Sequence, residues 1–383
     1  GLFSDYLFLI AIKKDTVALH LQQIDRELID QIATFAHLVS SRPDLQPNPS
    51  ERAAKLTVLG HQLYQLLIEP VAPLISESCL IIPDETLSFL PFAALLSKPV
   101  EEHPHLFKTH PYFGRTTIIR YGYSSTLLGL MEQLPTSQDG QMAAFAPSFE
   151  DHPAGLSSLL NNQGEARELI DQFEGNAFIG SEARAEALRL NGKNFPYLHF
   201  ATHSAMDPYL PEAGYLAFAP SGNFPDGLFQ LSDIYSLNLK AELVGLSACQ
   251  TGIGLIQKGE GLMSVARAFS MAGTRSLLAT LWSVEDYETS QIMTRFYQYL
   301  RESDDKALAL QQSQLEYLEK ASHESAHPYY WSAINLIGAR DTKTRLVSQS
   351  NSWWVYLSLF PIAILLTLAG RKWLFPSQTK ADF

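Results

Sequence analysis

Two short apolar runs constrain this chain more than any other feature. Tyr197-Leu198-His199-Phe200-Ala201-Thr202 empties into His203-Ser204, and Leu243-Val244-Gly245-Leu246-Ser247-Ala248 empties into Cys249-Gln250-Thr251-Gly252. Each run is short, apolar and flanked by polar residues or glycine, as expected of a strand buried on both faces of a parallel sheet. The sequence around them alternates between strand-like and helix-like segments. That predicts an α/β fold with a mostly parallel sheet flanked by helices. In an open sheet of this kind, ligands collect outside the carboxyl ends of the strands. Both His203 and Cys249 fall at such ends.

A His and a Cys delivered to one sheet edge can form a thiolate–imidazolium pair, the activated nucleophile of a cysteine peptidase. His203 stands 46 residues before Cys249. In the caspases a His precedes the catalytic Cys by about 50 residues, within Q-A-C-[RQG]-G. Ser247-Ala248-Cys249-Gln250 is close to that string, with Thr251 before Gly252. The alternative is an inert core thiol and a satisfied loop histidine, since free Cys is among the most buried residue types. Matched positions on two strand ends, in this order, favour the pair.

Composition narrows the partners. Hydrophobic residues make up 46% of 383 and include 21 Phe, enough for a sizeable core. The formal charge is −12, with no basic stripe before the C-terminus, which argues against nucleic acid. Two cysteines, Cys79 and Cys249, are too few for a disulfide framework and point to a reducing compartment. The chain opens on Gly-Leu-Phe, without a charged n-region or cleavage site, so it is expected to be the C-terminal part of a longer polypeptide.

Residues 1–79 read as a strand-and-helix segment. Asp5 to Leu19 is a strand pair turning at Lys13-Lys14-Asp15, and helices follow over Ile24 to Val39 and Glu51 to Ile68. Residues 80–340 read as the catalytic core. Its expected strands are Leu80 to Pro83, Met142 to Ala146, the His203 strand, Tyr215 to Ala219, the Cys249 strand and Ser276 to Leu281. Its expected helices include a start at Leu90 to Leu95, Glu165 to Phe173, Glu182 to Leu190 and a link over Ser232 to Leu237. Further helices are expected over Gly261 to Ala272, stopped by Gly273, Asp286 to Arg301 and Lys306 to Ala321.

Residues 341–352 form a linker, 353–370 an expected transmembrane helix and 371–383 a short tail. No charged residue lies between Arg345 and Arg371, and Trp353 to Ala369 approaches the roughly 20 residues needed to cross a hydrocarbon core. Trp353, Trp354, Tyr356 and Trp373 suit interfacial aromatic belts, and Pro361 is tolerated in membrane helices. A buried core helix is the competing reading. Flanking cations are tied, with Arg340, Lys343 and Arg345 before and Arg371, Lys372 and Lys380 after, so they leave orientation open. The expectation is a single-pass membrane protein with a cytoplasmic catalytic domain.

Several motifs in order resemble the CHAT family, caspase-like peptidase domains associated with tetratricopeptide repeats in bacteria. They are Ile82-Pro83-Asp84 with Leu90-Pro91-Phe92, Phe200-Ala201-Thr202-His203, and Leu246-Ser247-Ala248-Cys249-Gln250-Thr251-Gly252. Gly259-Glu260-Gly261 follows, leading to Ala266-Arg267-Ala268-Phe269 and Ala272-Gly273. Leu281-Trp282 with Asp286, and Tyr330-Trp331, close the pattern. The resemblance implies a caspase-haemoglobinase-like fold, a His203/Cys249 dyad, protein substrates, no cofactor, and upstream tetratricopeptide repeats that recruit a regulator. It also implies an oxyanion hole made by the backbone N–H groups of Cys249 and of the residue after the His. Many members carry Gly there; Ser204 supplies the same donor provided its φ is not positive. A non-enzymatic rival is an idle CHAT scaffold anchoring a signalling complex at the membrane.

Glu285 and Asp286 follow the Leu281-Trp282 strand end, where such a fold builds its S1 wall. An acid there favours Arg or Lys at P1, although Ser283-x-x-Asp286 is also a capping box. Glu260 reads as a helix-start acid and Cys79 as an inert core thiol. His103, His105 and His110 read as a solvated loop without metal-ligand spacing. The pairs Gly252/Gly254 and Gly259/Gly261 lack any nucleotide-binding pattern.

Overall fold

The computed structural model describes residues 2–3, 6–23, 26–136, 140–205, 213–248, 255–257, 261–284 and 286–347. At the N-terminus β1 (Leu2–Phe3), β2 (Tyr6–Lys13) and β3 (Thr16–Gln23) form a small antiparallel sheet whose hairpin turns at Lys14-Asp15. One hairpin face, with Phe8, Ile10 and Ile12 opposite Leu21, Leu19 and Val17, is exposed. The helices α1 (Arg26–Ser40) and α2 (Pro49–Leu67) follow and bury Ile32, Phe35, Leu56 and Leu63 in the common core.

The remaining elements run β4 (Ser78–Ile81), α3 (Phe113–Thr116), β5 (Ile118–Tyr121), α4 (Ser125–Gln133), β6 (Met142–Ala146), α5 (Asn162–Gln172), β7 (Gly175–Ile179) and α6 (Ala185–Asn191). Next come β8 (Tyr197–Thr202), β9 (Ser204–Ala205), β10 (Tyr215–Ala217), β11 (Leu228–Gln230), α7 (Leu231–Tyr235) and β12 (Leu243–Ala248). The chain continues through β13 (Leu255–Gln257), β14 (Gly261–Met263), α8 (Val265–Met271), β15 (Ser276–Thr280), α9 (Asp286–Glu302), α10 (Lys306–Lys320), α11 (Pro328–Trp331) and β16 (Ile334–Gly338).

Among the described residues, eight strands form the main sheet in the order β4-β5-β16-β15-β12-β8-β6-β7. Every neighbouring pair is parallel except β15–β16. The architecture is therefore mixed α/β around a large, mostly parallel sheet. The five strands from β7 to β15 follow the doubly wound order 2-1-3-4-5, which opens its crevice beyond the carboxyl ends of the first and third strands. Here those are β6 and β8.

Alternation along β8 assigns each face its cover. Phe200 meets Phe145 at 5.2 Å and Phe269 of α8 at 5.3 Å. His199 points the other way, to Glu165 of α5 and Tyr297 of α9. Small residues Ala144, Ala146 and Ala201 let α5 lie close through Ala166. At the opposite, amino-terminal edge, a buried Glu242 pairs with the equally buried Arg275 and Lys306, fixing the starts of β12 and β15.

Two local expectations are corrected. Leu90 to Leu95 does not begin a helix: Leu90 is extended, as residues before proline prefer to be, and only short 3₁₀ turns at Glu85–Phe89 and Phe92–Ala94 form. The helix expected from Gly261 starts at Val265, because the Ser264 side chain accepts from the Arg267 N–H at 3.1 Å and makes the cap, while Gly261–Met263 pairs with β13. The cap is thus Ser264, not Glu260, which lies outside the described residues. Residues Gly1–Val347 cluster as one compact unit. Among the described residues no helix is long and apolar enough to cross a membrane. The segment 353–370 lies outside them.

Candidate active site

The site is built on β8 and β12, which pair in parallel from Leu243 opposite Tyr197 to Ala248 opposite Thr202. His203 is the next residue of the first strand. Cys249, the next residue of the second, lies outside the described residues. His203 is held on three sides. Its carbonyl accepts from the Ala217 N–H at 2.8 Å, tying the strand end to β10. Its ring meets the edge of Phe149 at 4.6 Å. Its Nε2 lies 2.7 Å from the Ser157 carbonyl.

That last contact fixes the tautomer. A carbonyl oxygen only accepts, so Nε2 carries the proton and Nδ1 is left as the basic nitrogen. Ser157 belongs to the long loop between β6 and α5, and the buried Asn162 holds that loop in place. Asn162 Nδ2 donates to the carbonyls of Pro147 at 2.8 Å and Ala201 at 3.2 Å, joining the loop's root to β8. The loop's role had no motif to announce it: the contribution is a main-chain oxygen, which any residue supplies.

Ser204 is buried at the start of β9, opposite Leu216 of β10, and its φ is not positive. Asp286 is the first residue of α9, while Glu285 lies outside the described residues, as does the side chain of Asp286. The segment before them is tied to α11 by two hydrogen bonds. Trp282 Nε1 donates to the Tyr329 carbonyl at 3.0 Å, and Tyr329 Oη donates to the Ser283 carbonyl at 2.8 Å, so each side clamps the other.

The other singled-out groups stand apart from this edge. Cys79 sits half-buried in β4, where desolvation pushes its thiol up to about 12 and disfavours the thiolate. His110 departs from the expected solvated loop: it is buried against Phe107 and Tyr112, and burial lowers it to about 4. Among the described residues no three His, Cys, Asp or Glu side chains are grouped to hold a metal ion.

The sequence profile of the CHAT domain matches residues 57–339. Tetratricopeptide repeat protein 28 of Homo sapiens is 22% identical over 287 residues, covering 67% of this chain and 11% of that protein. Its Mus musculus counterpart is 29% identical over 112 residues, covering 29% and 4%. The chain thus spans about a tenth or less of the length of these curated relatives. Among solved structures, the Arg-specific cysteine proteinase gingipain R (RgpB) aligns with a TM-score of 0.46 and 10% identity over 84% of this chain and 77% of its own.

Proposed function

Because this chain belongs to the CHAT domain family, we propose that it is a cysteine endopeptidase of caspase-haemoglobinase type with His203 and Cys249 as its dyad. The observation that carries this reading is the β8–β12 register. It ends on Thr202 opposite Ala248, so the two residues that follow are the His and the Cys. Neighbouring strands run about 4.8 Å apart, a spacing suited to proton exchange between the two side chains.

In this mechanism Nδ1 of His203 takes the proton of the Cys249 thiol. The thiolate attacks the scissile carbonyl, and the backbone N–H groups of Cys249 and Ser204 stabilise the oxyanion. The amide C–N bond breaks as the imidazolium returns its proton to the leaving amine. A water, deprotonated by the same nitrogen, then hydrolyses the thioester and regenerates the thiol. Throughout, the Ser157 carbonyl keeps Nε2–H engaged, which both orients the ring and stabilises its charged form.

The test is a fluorogenic peptide library on wild type, Cys249→Ala and His203→Ala. Cleavage by wild type, lost in both variants at an unchanged melting temperature, supports the reading. No cleavage of any peptide leaves the idle scaffold as the better account, and activity surviving either substitution overturns the dyad.

Residues 353–370 are proposed to anchor the protein in a bilayer, with the catalytic domain on the cytoplasmic side and upstream tetratricopeptide repeats recruiting a regulator. Retention in the membrane fraction after carbonate extraction, and release on deleting 350–383, is the expected result. Full solubility of the intact chain without detergent overturns the anchor.

A further inference from the structure

A buried polar chain runs beneath the candidate site and takes no part in the dyad. Tyr297 Oη lies 3.2 Å from His199 Nδ1, and His199 Nε2 lies 3.0 Å from Glu165 Oε1. Ser247 Oγ donates to Glu165 Oε2 at 3.1 Å. Burial, with the Glu165 charge second, pushes the Tyr297 hydroxyl well above its usual range, so it remains a donor. It donates to Nδ1, which leaves Nε2–H directed at the carboxylate. Every donor in the chain has an acceptor.

The surrounding residues are shaped for this arrangement. Gly245 lies opposite His199 in the parallel ladder, and a Cβ there would meet Tyr297 Oη at 2.3 Å and His199 Nδ1 at 3.0 Å. Any side chain at 245 would force the Tyr297 hydroxyl to shift against His199. Ala201, opposite Ser247, has no side chain long enough to occupy the space through which the carboxylate reaches across. One carboxylate from α5 therefore grips both strands at once, His199 on β8 and Ser247 on β12. These two residues lie four positions before His203 and two before Cys249.

We propose that Glu165 is a positioning residue, whose buried carboxylate holds the end of β12 against β8 through Ser247 and His199 and so sets the approach of nucleophile to base. The proposal rests on the dyad reading above. A carboxylate is suited to this task because its two oxygens point along different directions and each accepts a charge-assisted bond. Its burial leaves it no water to turn to, so both bonds persist.

Ser247→Thr and Ser247→Val test it directly. The two replacements have the same shape, and only the first keeps the hydroxyl. The measurements are kcat and KM on the best library peptide, the rate of Cys249 alkylation by iodoacetamide, and the melting temperature, with Glu165→Gln as a third variant. Ser247→Val and Glu165→Gln should each lose about 10- to 100-fold in kcat, the cost of displacing a reacting group by up to about 1 Å. KM should stay within about twofold and alkylation of Cys249 should slow, while Ser247→Thr keeps the wild-type values. Equal behaviour of Ser247→Thr and Ser247→Val in both kcat and alkylation overturns the proposal. A wild type that cleaves nothing, yet whose Cys249 alkylation separates Ser247→Thr from Ser247→Val, would refute the endopeptidase reading and leave the positioning role standing.

Discussion

His203 donates its Nε2 proton to the carbonyl of Ser157, 46 positions earlier in the chain, across 2.7 Å. The contact determines which face of the imidazole is basic, and it comes from a loop rooted by the buried Asn162 at its α5 end and held further back by the buried His152, whose Nε2 lies 3.0 Å from the Phe218 carbonyl. If Asn162 secures that loop, its removal should reach the chemistry as well as the stability.

Asn162→Ala strips donors from the carbonyls of Pro147 and Ala201. The expected loss is about 1–3 kcal/mol in a urea titration, the cost of leaving buried acceptors unpaired. A fall in kcat should accompany it, since the Ser157 carbonyl is no longer held at the ring. Stability lost at an unchanged kcat would show that the loop finds its place without Asn162.

If Glu285 or Asp286 lines S1, Arg or Lys is the favoured P1 residue. Glu285→Gln or Asp286→Asn should then cost on the order of 100-fold in kcat/KM for a basic P1. A helix-capping role predicts about 1 kcal/mol of lost stability and unaltered P1 preference. Profiling the library on both variants separates the two, and an apolar P1 preference in wild type rejects the acidic pocket outright.

Acid should weaken this fold well above the carboxylate range. Burial lowers His110 to about 4 and His327 to about 3, the latter packed on Phe107 at 4.6 Å. In the unfolded chain both titrate near 6.5. Above that pH neither state binds these protons and their contribution to the pH dependence is flat. Between about 6.5 and 4 the unfolded chain binds more protons than the folded one, so unfolding free energy falls as pH falls, by at most about 1.4 kcal/mol per unit for each His. His327→Asn, which keeps an acceptor for the Tyr329 N–H that His327 Nδ1 now caps, should show a shallower loss of melting temperature from pH 7 to 4.5. An identical slope would place the acid sensitivity elsewhere.

Much of this organisation is legible in the sequence because its signals are local. Apolar runs such as Leu243 to Ala248 announce strands, and the spacing of Ile32, Phe35 and Val39 announces a helix face. The reversed direction of β16 is not legible, since Ile334 to Gly338 reads as the same kind of apolar run whichever way it lies. Direction is decided by the pair of helices α9 and α10 between β15 and β16, which returns the chain to the carboxyl end of β15, where Ile334 pairs opposite Thr280. The helix after Gly261 is overextended for a related reason: glycines beside an acid look like a helix start, and only the Ser264 cap marks the true one. Within the site, the His203 strand end is plain, but the chain through Glu165, His199, Tyr297 and Ser247 joins residues 34 to 98 positions apart in sequence. Its one local trace is Gly245, a glycine inside an otherwise branched and apolar strand, which signals close approach by another group.

Whether Cys249 is a nucleophile activated by His203 can be read from a covalent trap. Wild type, His203→Ala and Cys249→Ala would be treated with a peptidyl acyloxymethyl ketone carrying the P1 residue chosen by the library. Intact-mass and peptide-mapping spectrometry would then locate and time the adduct. The expected result is one adduct per chain on Cys249, formation slowed by at least about 100-fold in His203→Ala, none in Cys249→Ala, and none on the partly buried Cys79 thiol. Adducts on Cys79 at a comparable rate, or labelling of Cys249 that proceeds equally fast without His203, would contradict it.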